Sequence, residues 1–143
     1  MMIKVQIAED LPSIRQQYVN DLQVYSDISV IVATDTMQST VDAALQLHPD
    51  VILMDIEMDY RNAGIMASKL ILTSSPDTKI IILTVYEEDR DVFSAFQIGV
   101  CDYILKNSSV NEIHSAIIDY SGSPEPVNPL FRATCSDWQS RSE

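Results

Sequence analysis

The chain has 143 residues and carries 9 Lys and Arg against 21 Asp and Glu, a formal charge of −12. That length fits one domain with a core of its own, and so acidic a surface excludes a direct grip on nucleic acid or an anionic membrane. No apolar run approaches the roughly 20 residues that cross a bilayer, and Met1-Met2-Ile3-Lys4 lacks the apolar core of a secretory signal, so a cytoplasmic protein is expected.

Five apolar runs alternate with five amphipathic ones. The first run predicts a strand over 3–8 and ends at Glu9-Asp10. Pro12 suits the first turn of a helix over about 12–24, whose Ile14, Tyr18, Leu22 and Tyr25 step by three and four. A strand over 29–34 leads to a helix over about 36–47, with Met37, Val41, Ala44, Leu45 and Leu47 as its inner face and Pro49 as its stop. His48, at that helix end, is placed to favour the last carbonyls. The third strand, 51–54, ends at Asp55, and a helix over about 64–73 carries Ile65, Leu70, Ile71 and Leu72 before the turn Ser74-Ser75-Pro76-Asp77.

Strand 79–84 ends in Thr84, followed by a helix over about 88–97 that buries Val92, Phe93 and Phe96 and stops at Gly99. Strand 102–105 ends at Lys106. The last helix, about 109–120, turns Val110, Ile113, Ala116, Ile117 and Tyr120 inward and leaves His114 on its solvated side. Ser108 or Ser109 caps it, with Glu112 as a capping-box partner. Cys101 and Cys135 have neither disulfide nor metal-ligand spacing, and Cys101 reads as a small core residue. From Ser121 the composition becomes that of a linker, and 130–143 shows no sustained period. The folded unit is thus expected over 2–120, with 121–143 a linker or tail in which Trp138 anchors a missing domain or nothing at all.

Strands one, three and four are rich in Val, Ile and Leu with little alternation, the mark of strands covered on both faces. Alternating strand and helix with short connections implies right-handed crossovers. The expected fold is a doubly wound α/β sandwich in three layers, a five-stranded parallel sheet in the flavodoxin-like order 2-1-3-4-5. In that order strands one and three flank the point where the strand order reverses, and such sheets bind ligands there.

Strand ends meet at one sheet edge, so Glu9, Asp10, Asp55, Thr84 and Lys106 are expected around one crevice. Three close carboxylates raise one another's pKa, and a divalent cation relieves the repulsion. Oxygen ligands point to Mg²⁺, held by Asp10 and Asp55 with Glu9 beside them and the backbone carbonyl of Glu57 as a further oxygen; the lack of a nearby His argues against zinc. A carboxylate such as Asp55 can attack phosphorus, with Lys106 and the cation stabilising the transferred group and Thr84 hydrogen-bonding it. Each residue alone has an ordinary structural reading, as a turn, a cap or a solvated surface position.

Together these residues resemble the receiver domains of bacterial two-component response regulators, over about 3–120. The acidic pair matches Glu9-Asp10 and the phospho-acceptor matches Asp55, within Asp50-Val51-Ile52-Leu53-Met54-Asp55-Ile56-Glu57-Met58. The family's Ser/Thr matches Thr84, its lysine Lys106 and its aromatic switch residue Tyr103, within Gly99-Val100-Cys101-Asp102-Tyr103. Leu105-Lys106-Asn107-Ser108-Ser109 looks like the LuxR/NarL branch, which carries a C-terminal helix-turn-helix domain.

The resemblance implies a CheY-like fold and a phosphoryl-accepting switch that is not an enzyme acting on other substrates. It takes its phosphoryl group from a sensor histidine kinase with Mg²⁺, then shifts the face of helix four, strand five and helix five. The implied readout is homodimerisation, or release of an effector domain that would reach DNA from outside this chain. Three departures stand out. Asp59 follows Met58 where a proline is common, Tyr60-Arg61-Asn62 precedes the matching Gly64, and Val85, then Tyr86, follow Thr84 where a small residue is common. Two other readings remain open on the residues alone. One is a haloacid-dehalogenase-like phosphatase, against which stand Glu57 in place of its second Asp and the missing cap segment. The other is a pseudo-receiver that keeps the fold without phosphorylation.

Overall fold

Alternate residues of the central strands enter two different cores, which is why those strands carry no polar face. Val51 and Leu53 join Ile81 and Leu83 on one side, while Ile52 and Met54 join Ile80 and Ile82 on the other, all fully buried. The computed structural model describes residues 2–85 and 95–121. Its strands are β1 (Ile3–Ala8), β2 (Ile28–Thr34), β3 (Val51–Asp55), β4 (Lys79–Thr84) and β5 (Asp102–Leu105), all parallel and in the order β2-β1-β3-β4-β5. Helices α1 (Pro12–Gln23) and α5 (Val110–Ser121) cover one face. On the other lie α2 (Met37–Leu47), α3 (Ala63–Ser74) and the helical residues 95–98, named α4. This is the expected doubly wound fold. Val92, Phe93, Tyr86, Cys135, Trp138 and the linker or tail expected after residue 121 lie outside the described residues.

Local chemistry sets the helix ends. Thr36 and Ser39 form a reciprocal capping box at the start of α2, and Ser109 Oγ accepts the Glu112 N–H at 3.2 Å at the start of α5. His48 closes α2 directly before Pro49, as expected: its backbone is left-handed at φ 50° and its N–H donates to the Ala44 carbonyl.

Three sequence expectations are corrected. Leu47 and Leu70 are 41% and 42% exposed, not core. At 3.6 residues per turn, Leu47 lies about a third of a turn from the direction shared by Val41, Ala44 and Leu45. The buried face of α3 is built from Ala63, Gly64, Ala67, Ser68 and Ile71; small residues there let the helix sit close to the sheet, and Leu70 points aside. His114 is half-buried and partnered, not simply solvated. Its Nε2 lies 2.9 Å from Asp27 Oδ1, its ring stacks on Tyr25 at 3.7 Å between centroids, and Tyr25 in turn donates to Asn111 Oδ1. The group ties α5 to the turn before β2. Cys101 is buried as expected, and burial pushes its thiol up to about 11, which disfavours the thiolate.

Candidate functional site

Strand register brings the strand-end residues together. Ala8 is level with Met54, so Glu9 emerges beside Asp55. Asp55 is level with Leu83, so Thr84 comes one step later on the neighbouring strand. Thr84 is level with Leu105, and its carbonyl accepts the Lys106 N–H at 2.7 Å. The resulting crevice, about 380 Å³, is lined by Asp10, Leu11, Asp55, Ile56, Glu57, Leu83, Thr84, Val85 and Lys106. Glu9 lies buried beneath it. Tyr103 stands level with Ile82, outside the crevice, half-buried against the core under α2 and α3.

One carboxylate oxygen from each of Glu9, Asp10 and Asp55 lies within 4.8 Å of the other two. Lys106 Nζ sits 3.0 Å from Glu9 Oε2 and 3.2 Å from Asp55 Oδ1. Among the described residues the ammonium is the one partner the fully buried Glu9 carboxylate has, and Glu9 Oε1 lacks a hydrogen-bond donor. Burial, then the Glu9 charge, lift the Asp55 carboxyl from 3.8 to about 7 against the opposing pull of Lys106. Burial pulls the Lys106 ammonium down, but its pairings with Glu9 and Asp55 outweigh this and hold it above its ordinary value. Glu9 and Asp55 therefore share one ammonium, with the Asp10 carboxylate close beside them. The unpartnered Glu9 Oε1 and the raised Asp55 carboxyl are what a hard divalent cation with oxygen ligands would satisfy, so the donor set fits the metal implied by the resemblance.

These charges set a pH dependence. With its folded pKa raised, Asp55 binds more protons in the native than in the unfolded state between about pH 4 and 7, so native stability falls as pH rises through that window. Urea denaturation in metal-free buffer is expected to show this decline, and added Mg²⁺ to flatten it. Stability that rises across the same window without metal would contradict the assigned charges.

Sequence reasoning missed two supports of the site. Arg15 reaches back from α1, its Nη1 donating to the Glu9 carbonyl at 2.9 Å and to the Asp10 carbonyl at 3.4 Å, so the acidic loop is held from the helix that follows it. Its position in the first turns of α1 was the available signal. Gly64 was matched to the family, but its necessity was not visible: a Cβ there would stand 1.9 Å from the Asp55 carbonyl oxygen, and its N–H donates to Ile56 O at 2.8 Å.

Among the described residues, no helix is long and apolar enough to cross a membrane. Residues 5–118 match the response regulator receiver domain family. The chain is 30% identical over 139 residues to the transcriptional regulatory protein LnrK of Bacillus subtilis, covering 96% of this chain and 63% of that protein. It is 36% identical over 117 residues to the response regulator protein VraR of Staphylococcus saprophyticus, covering 82% and 56%. The chain thus spans between half and two-thirds of the length of these relatives. Its fold is also that of a DNA-binding response regulator of the LuxR family from Staphylococcus aureus, with a TM-score of 0.76 and 24% identity over 85% of this chain and 100% of that one. On these matches the chain belongs to the receiver domains of two-component response regulators, a family of phosphorylation-based switches.

Proposed function

We propose that Asp55 is the phosphoryl acceptor of a switch charged by a sensor histidine kinase. The observation that carries this is the cluster of Glu9, Asp10 and Asp55, one carboxylate oxygen of each within 4.8 Å of the other two, with the Lys106 ammonium 3.0 Å from Glu9 and 3.2 Å from Asp55. Glu9, Asp10 and Asp55 and the Glu57 backbone carbonyl would hold Mg²⁺. Bound there, the ion would supply the positive charge that keeps Asp55 ionised and offsets the phosphoryl oxygens.

An Asp55 carboxylate oxygen attacks phosphorus. The O–P bond forms, the bond to the kinase imidazole nitrogen breaks, and the leaving imidazole keeps the electron pair and takes up a proton. Lys106 Nζ, already 3.2 Å from Asp55 Oδ1, pairs with the transferred oxygens, and the Thr84 hydroxyl donates to another. Movement of Thr84 opens space into which Tyr103 turns, and the face of α4, β5 and α5 changes with it, a two-state element biased by a local charge event.

Residues 121–143 serve as the linker to an effector domain. The similarity to LnrK, a transcriptional regulatory protein, supports DNA binding through such a domain outside this chain, with homodimerisation of receivers as the coupling step. On this reading the chain takes part in its own phosphorylation and dephosphorylation and turns over no other substrate, and the family match supports it over the phosphatase reading.

Val85 is 63% exposed at the crevice wall and restricts water at the acyl phosphate. Val85→Ala is expected to speed autodephosphorylation several-fold, followed as loss of phosphoryl mass with time; an unchanged or slower loss would remove this role. The function itself is tested by intact mass after incubation with phosphoramidate and Mg²⁺. A gain of one phosphoryl group in the wild type and none in Asp55→Asn is expected. No gain in the wild type would leave the pseudo-receiver reading.

A further inference from the structure

We propose that Asp59, which stands where a proline is common in the family, is a positioning residue for the cation site, tethering the loop that carries the Glu57 carbonyl to the start of α2. The inference rests on the reading above, in which that carbonyl is a ligand. The loop runs from Ile56 at the end of β3 to Asn62 before α3. The Gly64 N–H closes it at Ile56 O, 2.8 Å, while the Tyr60 carbonyl accepts the Met58 and Ala63 N–H groups at 3.3 and 3.2 Å, long bonds that shape the loop locally.

Two contacts reach across to α2. Thr40 Oγ1 lies 3.9 Å from Met58 Sδ, a soft contact. The Met37 N–H donates to Asp59 Oδ1 at 2.8 Å, a charge-assisted bond to a first-turn amide that has no partner within its own helix.

The helix does not need this second cap, because Thr36 and Ser39 already form a capping box there. What the long-range bond adds is a fixed point for the loop. Helix α2 is a firm post: Thr40 Oγ1 is 2.8 Å from Thr34 Oγ1, and Gln6 Nε2 of β1 donates to the Thr40 carbonyl at 3.1 Å, all buried. Asp59 is itself exposed, so its replacement leaves the core untouched.

The test is calorimetric titration of the unphosphorylated chain with MgCl₂, alongside the Mg²⁺ dependence of phosphorylation by phosphoramidate. Asp59→Ala is expected to weaken Mg²⁺ binding roughly tenfold, the low end for loss of a group that orients a ligand, and to raise the half-saturating Mg²⁺ concentration equally while the saturated rate is kept. Asp59→Asn retains the acceptor oxygen and is expected to bind like the wild type. Thr36→Ala, which removes the local cap, is expected to lower the melting temperature without changing Mg²⁺ affinity.

Wild-type affinity in Asp59→Ala would overturn the inference. So would Asp59→Asn as weak as Asp59→Ala, which would make the effect one of charge alone, or an equal loss in Thr36→Ala, which would make it one of helix stability. A wild type that binds no Mg²⁺ would overturn the reading of the site and the inference with it.

Discussion

Gly64→Ala is expected to destabilise the domain by about 3 kcal/mol or more and to abolish phosphoryl acceptance together with it. A methyl group at this position would meet only backbone: the Asp55 carbonyl oxygen at 1.9 Å, the Asp55 carbonyl carbon at 2.8 Å and the Ile56 Cα at 2.9 Å. No side chain can swing aside. Either α3 lifts from the end of β3, breaking the Gly64 N–H bond to Ile56 O, or Asp55 itself shifts. Both outcomes move the acceptor. Gly99→Ala provides the contrast. Gly99 has φ 108° and room for a Cβ, with Leu72 Cδ1 at 3.6 Å, so backbone strain alone applies and costs about 1 to 2 kcal/mol with the site left intact. Thermal melts and phosphorylation of both variants check this. A Gly64→Ala protein that melts and phosphorylates like the wild type would contradict the close approach.

Lys106→Met is expected to lower stability at pH 7 in metal-free buffer by roughly 3 kcal/mol, the low end for a broken buried pair because Lys106 keeps 18% exposure. It removes the one cation shared by Glu9 and Asp55. The Asp55 carboxyl, already raised to about 7, loses the influences that held it down and rises further. The native state then binds more protons than the unfolded state over a wider range, extended above pH 7, so the Asp55 part of the deficit is small below pH 7 and grows above it. Mg²⁺, by binding the folded state, is expected to restore part of the lost stability. Phosphorylation at saturating Mg²⁺ is expected to fall about a hundredfold, as when one charged donor is removed from a transition state. Urea denaturation at pH 5 and pH 8, with and without Mg²⁺, separates these terms; a deficit that is constant in pH would argue that Lys106 acts by packing alone.

The sheet and its edge were legible because they rest on local patterns. Runs such as Val51-Ile52-Leu53-Met54 showed burial on both faces, and the polar residue closing each run marked the crevice. The helices were less legible where small residues face inward. Periodicity follows bulky side chains, so it chose Leu47 and Leu70 while the close packing of α3 is made by Ala63, Gly64, Ala67 and Ser68. His114 was misplaced for a different reason: its partner Asp27 is 87 residues away, and no local period reveals such a pair. The tethers made by Arg15 and Asp59 were not legible either, although Asp59 stood out as a departure from the family pattern. Each holds a backbone group across a turn or between elements, and a charged residue beside a loop does not show which backbone group it will reach.

The acceptor assignment is tested most directly by chemical trapping. The protein is phosphorylated with phosphoramidate and Mg²⁺, reduced with borohydride, which converts an aspartyl acyl phosphate to homoserine, and sequenced by tandem mass spectrometry. Homoserine at position 55, dependent on donor and Mg²⁺, is the predicted result. Homoserine at another carboxylate, or none in a protein that has gained phosphoryl mass, would contradict Asp55 as the acceptor.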